Sequence, residues 1–305
     1  MSDTVYKEIE DCLGEKAKRY FSDGFRHIKY EYNNLMSHGE ITEGSVKMFY
    51  DWEYKQEKHC HIGTVEYIAI ALFIAEKKLK ELFLLSEFEI ARSWISSFHM
   101  KISECILLNL EGSISFKCEF IEHNDVGDST ESRLKLQIGH NVIIYSIIHC
   151  KSKNRKNIRK KRNTDVMNLY KNGYKKRSYS ISDVVLTEQL NSCSASVTIN
   201  PSNSVGIGSF YNGFLAIDII ISSGQLIEAL LKNQEKHDGN EHINLWLREF
   251  HLEAATAETS NSSEINILIE QMKIIEKNKH SWKTFQFISQ LGGYNSKIKA
   301  VSQLN

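Results

Sequence analysis

Three polar side chains interrupt an otherwise aliphatic stretch at a spacing that suits acid–base chemistry. Asp218, Ser222 and Gln225 lie four and then three residues apart, so a helix places them on one side. Buried polar groups are costly unless they are paired, so this polar stripe predicts protein partners, water or a ligand. The alternative is that Asp218 only caps the helix or favours its dipole.

A matching acid, Glu66, starts an apolar stretch half a chain earlier. The positions that match Ser222 and Gln225 are there Ile70 and Phe73, so the polar stripe has become apolar. We therefore expect the second helix to carry the working surface and the first to be scaffold. Favourable charge–dipole placement is again the alternative for Glu66.

Histidines before the first helix could supply a second titrating group, which acid–base sites usually need. His61 is the candidate base facing Asp218 across the two halves, although a solvated or capping histidine is the simpler interpretation. Metal ligation by His59 and His61 would need further ligands that no spacing supplies, and Cys60 has no evident partner as a nucleophile. We predict no metal and no cofactor.

These residues lie within an internal repeat. Trp94–Met100 and Trp246–Leu252 share the pattern Trp, aliphatic, two variable residues, Phe, His, aliphatic. The offset that aligns these two segments also aligns, without a gap, the apolar stretches that contain Glu66 and Asp218. Two elements that match in one register indicate two copies of one unit. His99 and His251 lie opposite the Trp/Phe face of the repeated strand, which favours a structural or interface role for them.

Each half has one long helix, predicted at 61–83 and at about 218–232. The first is apolar nearly all round and must therefore be surrounded by protein. A sheet wrapped around such a helix is the hot-dog arrangement, so we predict an α+β tandem hot-dog fold; an α+β sandwich with helices on one face is the alternative. The predicted strands are 25–31, 45–52, 93–108, 113–122, 133–150, 181–199, 242–255, 264–276, 281–290 and 297–302, after a helical lead-in at 5–22.

The domain boundaries follow from composition. A basic run at 151–162 contains no acid, so 151–177 is predicted to be a linker between a first repeat at 1–150 and a second at 178–305. The run has no interleaved aromatic residues, which argues against nucleic-acid binding, but it could dock an acidic carrier protein.

The bulk composition of the 305 residues is that of an ordinary globular protein, with 41% apolar and 25% charged residues and a net charge of zero. Six cysteines without a CxxC pair favour reduced thiols. A polar N-terminus and the lack of a long apolar run predict a cytoplasmic protein with no membrane span.

Short segments spread over most of the chain resemble the avirulence protein D family. They are residues 13–25, Asp51-Trp52, His61–Glu66, Gly224–Leu226 and Asn244–Arg248. The repeat is also similar to the γ-butyrolactone synthases. The HxxxGxxxxP motif of related hot-dog dehydratases is missing, so dehydration is not expected.

The resemblance implies a biosynthetic enzyme that joins a β-ketoacyl thioester to a hydroxylated, sugar-like small molecule. The product would be a signal such as a syringolide, an acyl-glycoside or a butenolide. Asp218 would act as acid or base and Gln225 would orient, with His61 and Glu66 as further catalytic candidates and Ser222 and Gly224 contacting substrate. Coenzyme A or an acyl carrier protein would deliver the acyl chain to a monomer or homodimer. The alternative is a non-catalytic acyl-binding or sensing module.

Overall fold

The computed structural model describes residues 3–50, 61–106, 112–151, 167–187, 191–238, 245–277 and 280–304. The first half contains β1 (Thr4–Glu8), α1 (Ile9–Leu13), β2 (Ile28–His38), β3 (Ile41–Tyr50), α2 (Thr64–Phe83), α3 (Glu87–Arg92), β4 (Trp94–Lys101), β5 (Ile114–Val126), β6 (Ser129–Ile138) and β7 (Asn141–Cys150). The second half contains β8 (Ser178–Thr187), β9 (Ser192–Asn200), α4 (Ala216–Asp238), β10 (Trp246–Ala254), β11 (Ser262–Lys277), β12 (His280–Leu291) and β13 (Tyr294–Gln303).

Both long helices lie close to their predicted positions, but two of the predicted strands are each divided in the structure. The stretches predicted as single strands at 133–150 and 181–199 are each two strands. The first turns at Gly139, whose φ of 58° favours glycine, and the second near Asn191, whose φ is 47°. The predicted helical lead-in at 5–22 is a strand, a short helix and a one-turn 3₁₀ helix at Lys16–Lys18.

All the described strands form one antiparallel sheet, in the order β1-β8-β9-β11-β12-β13-β10-β4-β7-β6-β5-β3-β2. The two repeated segments, β4 and β10, lie side by side at its centre. His99 pairs with His251, and Phe98 pairs with Leu252. The strand order outward from this pair is the same in both directions once β1 is set aside. The sequence repeat is therefore a structural repeat about a local two-fold axis.

Each half of the sheet wraps one long helix, which makes the fold a tandem hot-dog of the α+β class. Ile68, Ala69, Ile70 and Ala71 have no exposed surface, although four consecutive residues point to all sides of α2. A helix buried on every side needs a sheet that curves around it, and the predicted fold is confirmed. No described helix is long and apolar enough to span a membrane.

The segments that precede β2 and β8 cross over to the opposite half. Arg26 donates to the carbonyl oxygen of Arg177 at 2.7 Å, and Lys175 donates to that of Ile28. Residues 167–177, which the sequence assigned to a linker, hold the buried Tyr170 and Tyr174 and belong to the packed core. The basic stretch between Lys151 and residue 167 lies outside the described residues.

Glu76 of α2 is one anchor of this crossover. Its carboxylate is buried and accepts hydrogen bonds from Ile207 N at 2.9 Å and Asn168 Nδ2 at 2.6 Å. Burial raises the pKa of Glu76 to about 7, and these two hydrogen bonds only partly oppose that rise.

A stability prediction follows from the raised pKa of Glu76. Between the ordinary carboxyl pKa and about 7, the folded protein holds a proton that the unfolded chain releases. The contribution of Glu76 to the free energy of unfolding therefore falls as pH rises through this range. We expect the free energy of unfolding of the wild type, relative to that of Glu76→Gln, to be higher at pH 5 than at pH 8 when both are measured by urea unfolding. A difference that does not change with pH would contradict this.

Candidate active site at the start of the first long helix

The start of α4 carries a fully bonded carboxylate. Asp218 has no exposed surface. Its Oδ1 accepts from Arg177 Nε at 2.9 Å and Tyr179 OH at 2.8 Å, and its Oδ2 accepts from Arg177 Nη2 at 2.7 Å and Leu215 N at 2.8 Å. A carboxylate has about four lone-pair positions, so none remains for a substrate proton. The acid–base role expected of Asp218 does not fit this geometry.

Arg177 and Asp218 form a buried ion pair that ties α4 to the start of β8. The side chain is 2% exposed and also donates from Nη2 to Gly213 O at 2.9 Å. Burial by itself lowers the pKa of Arg177, but Asp218, together with Tyr179 and Tyr170, leaves it above its ordinary value. Sequence reasoning missed Arg177 because it stood at the end of a basic stretch that is typical of a linker.

The rest of the polar stripe on α4 is occupied by the crossing N-terminal segment or by packing. Gln225 Oε1 accepts from Arg19 Nη1 at 3.2 Å, so it does not orient Asp218. Ser222 is fully buried, and its hydroxyl has no hydrogen-bond partner among the described residues. Among the described contacts of the stripe, the one between Gln225 and Arg19 is the one that ties α4 to the N-terminal segment.

Gly224, a candidate substrate contact, instead permits close packing. A Cβ at this position would lie 2.6 Å from the ring of Phe21, so an alanine would force the ring or the helix to move. We expect Gly224→Ala to destabilise the protein by about 1–3 kcal/mol through overpacking, measured by chemical unfolding. A variant more stable than the wild type would mean that the higher helix propensity of alanine dominates.

The acid at the start of α2, Glu66, has different neighbours from Asp218. Glu66 is also fully buried, and its Oε2 accepts from Tyr20 OH at 2.5 Å. A Cβ on Gly63 would overlap both of these oxygen atoms, so the glycine makes room for the pair. The contact of Arg26 with Arg177 O and the contact of Lys175 with Ile28 O are related by the repeat, so Ile28 matches Arg177. The arginine of the ion pair therefore has no equivalent at the start of α2.

Tyrosine hydroxyls gather around Glu66 instead. Burial, followed by the charge of Glu66, raises the pKa of Tyr20 well above its ordinary value. Tyr30 and Tyr174 share a hydrogen bond of 2.7 Å between their hydroxyls; burial raises the pKa of both, and the charge of Glu66 adds to the rise. Their burial keeps these tyrosines protonated, so they are available as hydrogen-bond donors near Glu66.

Lys175 adds an amine to this cluster from the second half of the chain. Burial lowers the pKa of Lys175 to about 8, and the charge of Glu66 opposes that shift. Its Nζ lies 4.9 Å from the centre of the Tyr30 ring. Tyr174 and Lys175 both come from beyond the basic stretch, so the cluster around Glu66 needs both repeats.

His61 lies directly before α2, where its carbonyl oxygen accepts from Tyr50 OH at 2.9 Å. All the hydrogen bonds described for Asp218 come from residues of the second half, so the structure does not bring His61 and Asp218 together. His59 and Cys60 lie outside the described residues. Within the described ranges, no cluster of three or more acidic, histidine or cysteine side chains could hold a metal ion.

The matched acids therefore differ in what they can do. Asp218 is held by an arginine and has no lone pair left, whereas Glu66 shares a short hydrogen bond with a protonated phenol and lies among further hydroxyls. A hydrogen bond of this length is the one expected between a hydroxyl donor and an ionised carboxylate. The sequence gives no sign of this cluster, because Tyr20, Tyr30 and Tyr174 lie in three separate segments that only the fold brings to one acid.

Comparison with solved structures gives likenesses over most of the chain at very low identity. An acyl-CoA thioesterase II, TesB2, from Mycobacterium marinum is 9% identical, with 89% of this chain and 95% of that one covered and a TM-score of 0.42. GphF Dehydratase 1 is also 9% identical, with 89% and 97% covered and a TM-score of 0.43. A hot dog fold protein of unknown function from Alicyclobacillus acidocaldarius is 9% identical, with 94% and 98% covered and a TM-score of 0.39.

A comparison with curated proteins finds no match. The family model described as Pseudomonas avirulence D protein (AvrD) matches residues 4–304. This match takes in both repeats, both long helices and the segments that cross between the halves. The chain belongs to the AvrD family.

Proposed function

We propose that this protein is a biosynthetic enzyme that joins a β-ketoacyl thioester to a hydroxylated, sugar-like small molecule. The ester formed in this step leads to an acyl-glycoside or a butenolide-type signal, as for the syringolides. Membership of the AvrD family supports the substrate class. The observation that carries the proposal is the buried Glu66 carboxylate, hydrogen-bonded to Tyr20 at the start of α2.

The joining step is an acyl transfer. The acceptor hydroxyl attacks the thioester carbonyl carbon, a C–O bond forms, the C–S bond breaks and the thiol leaves. Glu66 accepts the proton of the attacking hydroxyl and returns it to the departing thiolate, so no outside reagent is needed. Tyr20 fixes the orientation of the carboxylate through its hydrogen bond.

The first turn of α2 suits the negative charge that develops on the carbonyl oxygen. Gly63 is the N-cap residue and has no side chain to cap the helix, so no cap side chain competes for the first backbone N–H groups. Backbone N–H groups at a helix N-terminus stabilise an oxyanion, and the positive end of the helix dipole acts in the same direction. At the start of α4, by contrast, Asp218 itself accepts from Leu215 N.

The test is turnover by the purified protein. A β-ketoacyl coenzyme A is incubated with a pentulose, and an ester product together with free coenzyme A is sought by mass spectrometry. Native mass spectrometry with lipid extraction of protein expressed in a bacterium identifies what co-purifies. Product that needs Glu66 supports the proposal. A fatty ligand held equally by wild type and Glu66→Gln, without turnover, would instead establish the acyl-binding module.

A further inference from the structure

The outer part of strand β11 has an edge to which no described strand is bonded. Residues Ser262–Leu268 pair with β9 on one side, while the pairing with β12 on the other side continues to Lys277. Ile269 N still donates to Asn191 O at 3.0 Å, after which the backbone is bonded only to β12 within the described ranges. A row of unpaired N–H and C=O groups is a template for a further strand.

Large apolar side chains stand along this same edge. Met272 is 49% exposed, Ile274 is 66% exposed and Ile275 is 43% exposed. Alternation places Met272 and Ile274 on one face of the strand and Ile275 on the other. Contact with the body of the protein therefore covers neither face, and a partner strand would shield both.

The first repeat provides an internal control for this feature. Strand β5, the counterpart of β11, pairs with β3 only over Ile114–Glu119 and then continues beside β6 alone among the described strands. Between the exposed Ile121 and Val126, its free edge is polar; the residues are Glu122, His123, Asn124 and Asp125. The fold therefore does not require an apolar edge, and the second repeat has one for another reason.

We infer that the β11 edge of residues 270–277 pairs antiparallel with the same edge of a second copy of this chain. A strand is the occupant because the free groups are those of a backbone. A second copy fits because an antiparallel pair of identical strands closes about a two-fold axis and leaves no further edge to grow. The β4–β10 pair, with His99 opposite His251, is this same geometry within one chain.

Charge selects the register of the pair. An axis through Ile274 sets Ile274 opposite its own copy, Lys273 opposite Ile275 and Met272 opposite Glu276. An axis through Lys273 would set lysine opposite lysine and Glu270 opposite Glu276, and like charges directly opposite one another are destabilising. The register through Ile274 has no such conflict and covers the most exposed isoleucine.

Sedimentation velocity over a wide range of concentrations tests this inference. The wild type is expected to be dimeric and Ile274→Lys monomeric with an unchanged circular dichroism spectrum, because position 274 is exposed and the change brings two lysines together. The matched control, Ile121→Lys on the polar edge of the first repeat, should remain dimeric. Under oxidation, Ile274→Cys should form a disulfide-linked dimer that neither Ile121→Cys nor the wild type forms.

A monomeric wild type, or a dimer that persists in Ile274→Lys, would overturn the inference. A monomeric wild type that sediments with phosphatidylglycerol vesicles, when Ile274→Lys does not, would identify the apolar edge as a lipid contact instead. None of these readouts depends on catalysis, so the result stands apart from the fate of the proposed function.

Discussion

Glu66→Gln should abolish most turnover while leaving the protein folded. The amide keeps the size of the side chain and can still accept from Tyr20, but it cannot take a proton from an acceptor hydroxyl. Loss of a general acid–base group typically costs about 10²–10⁴-fold in rate. We expect a decrease of this order in the formation of ester product from a β-ketoacyl coenzyme A and a pentulose.

The matched control is Glu81→Gln on the same helix. The Glu81 side chain is 42% exposed, and its one ion pair among the described residues is a long contact of 3.9 Å with Lys78, so its replacement should leave the rate within experimental error. Circular dichroism and the unfolding midpoint establish that both variants are folded. A folded Glu66→Gln protein that keeps the full rate would rule out the proposed role of Glu66.

Asp218→Asn should destabilise the protein strongly. The change leaves the charge of Arg177 buried without its counter-ion and places an amide N–H₂ where one of the donors to the carboxylate now points. Breaking a buried ion pair by removing one partner costs about 3–5 kcal/mol. Urea unfolding should show a loss of this size, whereas Asp183→Asn at an exposed position should change little.

A double variant separates the ion pair from other effects at this position. Replacing both partners by apolar residues, as in Arg177→Met with Asp218→Leu, removes the buried charge entirely and should recover much of the lost stability. The folded fraction of Asp218→Asn should retain turnover. If Asp218→Asn is as stable as the wild type but inactive, then Asp218 is the catalytic acid that the sequence suggested, and the assignment to Glu66 fails.

The sequence by itself determined the repeat, both long helices and the tandem hot-dog fold. These features rest on local patterns, since the apolar surface of residues 64–83 and each copy of the repeated Trp, Phe, His pattern lie within one segment. Helix burial and strand alternation are properties of neighbouring residues, so they can be read without knowing what lies across the fold. The pairing of β4 with β10 is the tertiary form of the same repeat.

Only the tertiary structure decided which partners surround each of the two matched acids. The sequence favoured Asp218 because its helix carries more polar residues, but the partners that saturate Asp218, Arg177 and Tyr179, lie well before it in the chain. The phenol that meets Glu66 likewise comes from Tyr20, in a segment that crosses between the halves. The lone pairs of a buried carboxylate are filled by whichever donors the fold brings to it, and no local pattern encodes those donors.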